Sequence, residues 1–125
     1  MIKGKTKSGF KFEVDERALN DWNFTRLLSA ISRYEEKNKE YAGIEDKQSI
    51  AEEALRNSED YKDTVEKLFS LLLRPAGKDK AFDFIAEKND GYILASDVGT
   101  LLREILTEIT RINSETKKSA PSPTS

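Results

Sequence analysis

The sequence predicts a mainly α-helical domain of the α+β class: about five helices, an N-terminal β-hairpin and a disordered C-terminal tail. Three observations predict it. Residues 96–113 carry Val98, Leu101, Leu102, Ile105, Leu106, Ile109 and Ile112 at steps of three and four, which is one face of an α-helix. Phe10, Phe12 and Val14 alternate with Lys11, Glu13 and Asp15, the period of a strand with one buried face. Residues 114–125 are rich in Ser, Thr, Pro and Lys, with Ala120 as their one aliphatic residue, a composition that does not build a core. The expected domain is therefore 1–113, with the hairpin at 1–14 and the tail at 114–125.

The hairpin comes first. Lys7-Ser8-Gly9 is its turn, and residues 1–6 are the partner strand, interrupted by Gly4. A two-stranded ribbon is marginal alone, so it must lie on helices or pair its edge with another chain. The edge bearing Lys3 and Lys5 suits docking of a neighbouring subunit. Residues 15–20 are a polar connector with room for one helical turn. Asp21 is placed to cap a long helix whose apolar face is Trp22, Phe24, Leu27, Leu28, Ile31 and Tyr34.

Gly43 ends that helix. Residues 49–57 then predict a short helix with Ile50, Ala54 and Leu55 inward. Asn57-Ser58 breaks it, and Ser58 caps the next helix, whose face is Tyr61, Val65, Leu68, Phe69 and Leu72. Pro75 is expected to stop that helix at Arg74, because the residue before proline disfavours the α region. Ala76-Gly77-Lys78 reads as a turn, and residues 79–88 as a short helix with Ala81, Phe82 and Ile85 inward. Asn89-Asp90-Gly91 is another turn, and Tyr92-Ile93-Leu94 a brief extended stretch. Ser96 caps the last helix, with Asp97 complementing its dipole. Burying one Leu or Ile stabilises by about 1.5–3 kcal/mol, so this helix is the strongest burial element of the chain.

Composition narrows the function classes. Of 125 residues, 37% are hydrophobic and 35% charged, with a net charge of −2. That balance means a thin core, and it argues against nucleic-acid binding, which needs a dense basic field. His and Cys are both absent. With them go thiol nucleophiles, imidazole acid–base chemistry and the usual transition-metal ligands. Acidic pairs such as Glu35-Glu36, Glu52-Glu53 and Glu59-Asp60 fall on polar helix faces or first turns rather than in a cleft. The turn at Asp90-Gly91 fails as a calcium loop, since aligning Gly91 puts Ala86 and Lys88 at ligand positions. No catalytic residue, cofactor site or metal site is therefore expected. Met1-Ile2-Lys3 runs straight into polar sequence, and no apolar run approaches a membrane span, so neither a leader nor a membrane partner is expected.

The order of these motifs resembles the tail assembly chaperones of long-tailed bacteriophages and prophages. The likeness runs from Ser8-Gly9-Phe10-Lys11-Phe12-Glu13-Val14-Asp15 through Asp21-Trp22, Leu27-Leu28, Leu71-Leu72-Leu73 and Asp90-Gly91 to the last amphipathic helix. It covers residues 1–113, with a departure at Arg74-Pro75-Ala76-Gly77. The resemblance implies a non-enzymatic protein of the host bacterial cytoplasm that is absent from the finished virion. Its main partner is the tape measure protein, kept soluble while the tail tube polymerises. Further implied partners are tail tube subunits, reached through a frameshift-extended form, and other copies of the chain. Partner contact is expected at Trp22, Phe24, Tyr34, Phe69 and Tyr92, on exposed apolar surface. The rival class is a small cytoplasmic helical adaptor or transcriptional regulator.

Overall fold

The computed structural model describes residues 1–119. Strands β1 (Ile2–Lys5) and β2 (Lys11–Val14) form an antiparallel hairpin, followed by helices α1 (Glu16–Leu19), α2 (Phe24–Ala42), α3 (Ala51–Lys88) and α4 (Ala95–Ser119). The mainly helical architecture with an N-terminal hairpin is as the sequence predicts.

In the hairpin Ile2 stands opposite Val14, Lys3 opposite Glu13, Gly4 opposite Phe12 and Lys5 opposite Lys11. Ile2, Phe10, Phe12 and Val14 are all buried, so the alternation does sort one face inward. β1 lies against α4 and β2 against α3, which gives the ribbon the support it lacks alone. Gly4 has a packing reason: a Cβ there would come within 2.6 Å of the Phe12 ring and 3.2 Å of Ile112 Cδ1. Its bareness lets the Phe12 ring lie over the strand beneath α4.

The core is built where the hairpin, α3 and α4 meet. Leu101, Leu102, Ile105 and Ile109 are buried along α4, with Val98, Leu106 and Ile112 packed at its margins. They face Val65, Leu68, Phe69, Leu72, Leu73, Ala81 and Ile85 of α3 within the same cluster. Tilted aromatic pairs join Phe10 to Phe84 (5.3 Å between centroids) and Phe69 to Phe82 (5.5 Å).

Several boundaries differ from expectation. The break at Asn57-Ser58 does not occur; α3 runs through it. Asn57 is buried, and its Nδ2 donates to the Tyr34 carbonyl (3.1 Å) and to Asn38 Oδ1 (2.7 Å), fastening α3 to α2. Residues 49–57 are thus not a separate helix, and Leu55, expected inward, is exposed. The first limb of α3 does end at Arg74, as Pro75 predicts: Arg74 takes the non-helical φ 65, ψ 166, and a second helical limb starts at once instead of after a turn. The turn expected at Ala76-Gly77-Lys78 is helical, and a Cβ on Gly77 would lie 2.8 Å from Leu73 Cβ, so the elbow needs glycine there. Lys78 closes the elbow, reaching Glu66 Oε1 at 3.7 Å and the Phe82 ring at 5.8 Å. Asp21 does not cap α2 directly; Asn23 holds that position, while Asp21 Oδ1 accepts from the Asn23 amide at 2.8 Å. α4 begins at Ala95, not at a Ser96 cap, with the Leu94 carbonyl accepting its first amides. It continues to Ser119, into the segment expected as tail; positions 120–125 of that expectation lie outside the described residues. Among the described residues no helix is long and apolar enough to cross a membrane.

Candidate partner-binding surface

The α3–α4 link is fastened at its backbone and apolar at its surface. Asp90 and Gly91 both have positive φ, reversing the chain after α3. The Gly91 amide donates to the Ala86 carbonyl (2.7 Å) and the Tyr92 amide to Asn89 (3.0 Å). Asn89 Nδ2 donates both to the Ile85 carbonyl (2.9 Å) and to Asp97 Oδ2 (2.8 Å), tying the end of α3 to the first turn of α4. Asp97 is therefore an anchor as well as a first-turn charge. On this fixed frame Tyr92, Ile93 and Leu94 point outward, with 71%, 52% and 46% of their surfaces exposed. Three adjacent exposed apolar side chains are unusual for a protein surface with this much charge.

Beside them lies a groove of about 280 Å³ lined chiefly by Tyr61, Val65, Phe82, Ile93, Val98 and Gly99. Lys62 and Glu66 stand among its walls. The Gly99 position leaves ordinary contact room, 3.5 Å, to the Tyr61 hydroxyl. Burial raises the Tyr61 pKa, with Glu35 adding to the shift and Arg103 opposing it. The hydroxyl thus stays neutral, and the groove is a mainly apolar slot with one polar tip. Such a slot accepts an aliphatic or aromatic side chain from a partner helix.

The residues expected at a partner surface divide. Trp22 is 79% exposed in the short link before α2, and Tyr92 stands in the apolar link just described. Phe24, the first residue of α2, is half-buried and packed on the core. Tyr34 is half-buried on α2, where its carbonyl receives the Asn57 amide. Phe69 is a correction: it is fully buried against Phe82, because the elbow folds the second limb of α3 over it. These positions do not converge on one patch. Ile93, Leu94, Tyr61 and Val98 make the better surface. The signal for them was the run Tyr92-Ile93-Leu94 between a turn and a helix start, which offers no second apolar face to bury it.

Among the described residues no cluster of three or more Asp, Glu, His or Cys side chains is placed to hold a metal ion. No protein-family model, no curated protein and no solved structure matches the chain.

Proposed function

We propose that the chain is a tail assembly chaperone of a long-tailed phage or prophage, acting by binding and not by catalysis. It engages the tape measure protein in the host cytoplasm, keeps it soluble, promotes tail tube polymerisation and leaves before the virion is complete. Tail tube subunits are recruited through a longer, frameshifted product, and copies of the chain associate along the tape measure. The reading rests on the order of motifs along residues 1–113. The observation that carries it is the exposed Tyr92-Ile93-Leu94 link beside the apolar groove. A tape measure is a long helical chain with apolar stripes. A surface offering three apolar side chains and a slot on a rigid frame suits helix-in-groove recognition of such stripes.

The test is co-expression with the very long reading frame expected immediately downstream of the gene. The chain should move that protein from the pellet to the soluble fraction. A triple Tyr92→Ser, Ile93→Ser, Leu94→Ser variant should fold and fail to do so. Complex formation should change little with salt, whereas a DNA-binding regulator would lose affinity steeply. A long downstream protein that stays insoluble beside the well-folded parent chain rejects the reading.

A further inference from the structure

A second surface, built on the hairpin and the elbow, carries charge of the opposite sign to the chain as a whole. An open cleft of about 840 Å³ is lined by the hairpin and by α3 around its bend. Its apolar floor comes from Phe10, Phe12, Leu72 and Leu73. Around that floor stand Lys3, Lys5, Lys11, Arg74 and Lys80, against only Glu13 and Asp15. Both acids are engaged: Glu13 with Lys3 at 3.7 Å, and Asp15 with the Arg17 guanidinium at 2.6 Å. Among the described residues Lys5, Lys11, Arg74 and Lys80 have no ion-pair partner. A protein with net charge −2 thus gathers four unpaired cations around one cleft.

Two features here oppose folding. Lys5 and Lys11 face each other directly across the hairpin, a like-charge pair that weakens the ribbon. Arg74 occupies φ 65, ψ 166, a region open in practice only to glycine, at a cost of about 1–3 kcal/mol. Pro75 explains why Arg74 leaves the helical region, but not why a long cation stands where glycine would rest unstrained. An anion in the cleft supplies a reason for both.

The class of anion follows from the walls. In this register the outward amides and carbonyls of Lys3, Lys5, Lys11 and Glu13 point away from the hairpin, and none makes a backbone hydrogen bond among the described residues. An open strand edge suits a peptide in extended form. Phe10 and Phe12 are buried and present no ring face for a nucleobase to stack on.

We propose that this cleft binds an extended acidic segment of a partner protein, its main chain lying along an open strand edge and its carboxylates pairing with Lys5, Lys11, Arg74 and Lys80. The proposal does not depend on the tail-assembly reading, which concerns the opposite kind of surface at the α3–α4 link. The test is fluorescence anisotropy of a labelled peptide of alternating glutamate and valine, titrated with the full chain at low and at moderate salt. Saturable binding that weakens with salt is expected. Lys5→Glu should weaken it about tenfold while leaving the melting temperature unchanged or higher, since the new side chain pairs with Lys11. Lys80→Glu should also weaken it, and Lys5→Arg should keep it. The opposite signs of the Lys5→Glu effects separate lost binding from lost folding. Absence of saturable binding, parental affinity in both charge-reversal variants, or tighter binding of a single-stranded oligodeoxynucleotide than of the peptide overturns the proposal.

Discussion

Residues 51–64 and 65–73 belong to one helix but are held by different forces. In the second stretch Val65, Leu68, Phe69, Leu72 and Leu73 are all buried in the core. In the first, the buried residues are Asn57 and Thr64, and Thr64 spends its hydroxyl on the Asp60 carbonyl of its own helix. The near stretch rests on apolar burial, which is large and tolerant of direction. The far stretch rests on a directional polar clasp from Asn57 to Tyr34 and Asn38. A hydrogen bond nets about 0.5–1.5 kcal/mol, so the far end of the α2–α3 pair opens at lower free energy than the core.

The apolar stretch is tested most directly at Phe69. Phe69→Ala should cost about 3–5 kcal/mol in urea denaturation, because the elbow prevents the site from collapsing. A loss below about 1 kcal/mol would show that Phe69 does not anchor the core. Asn57→Ala should cost about 1–3 kcal/mol, through the loss of its two hydrogen bonds at about 0.5–1.5 kcal/mol each. Its signature is local: amide exchange should quicken across residues 34–60 and stay unchanged across 65–73. Uniform acceleration would mean that both stretches open as one unit. Arg74→Gly should raise stability by about 1 kcal/mol by removing the unfavourable backbone conformation, seen as a higher urea midpoint. An unchanged or lower midpoint would put the bend's cost elsewhere.

Smaller effects sharpen the contrast with the α3–α4 link. Serine at Tyr92 should shift stability by no more than about 0.5 kcal/mol, and serine at Ile93 or Leu94, which are about half exposed, by about 1 kcal/mol. The smallest effect is one of pH. Tyr61 has a raised pKa, mainly from burial, against an ordinary value of 10.0. Below that value the hydroxyl is protonated in both states and contributes no pH dependence. Above it the unfolded chain releases its proton first, so stability falls until the folded hydroxyl also ionises. Tyr61→Phe should flatten that part of the alkaline profile.

What was legible in the sequence follows the same division. The α4 stripe and the alternation of β2 are local periodicities, and both appear on the faces expected. Asn57 reads locally as a breaker because its partners, Tyr34 and Asn38, lie on another helix. Pro75 reads as a stop and is one; that a second limb follows without a turn was not legible, because its supports are tertiary: the bare Gly77 and the reach of Lys78 to Glu66. Phe69 sits on a stripe whose exposure depends on where the second limb of α3 falls. The exposure of Tyr92 was expected, but that of Ile93 and Leu94 beside it was not, because it depends on the fastening of Asn89 to Asp97.

That fastening uses an amide, a carboxylate and main-chain carbonyls, and none of the side chains at 92–94. The hydrogen-bonded fastening is therefore independent of what those three positions carry. Over generations they are free to change in size, shape and polarity while the hinge beneath them keeps its form, so the molecule can retune its taste in partners without learning to fold again.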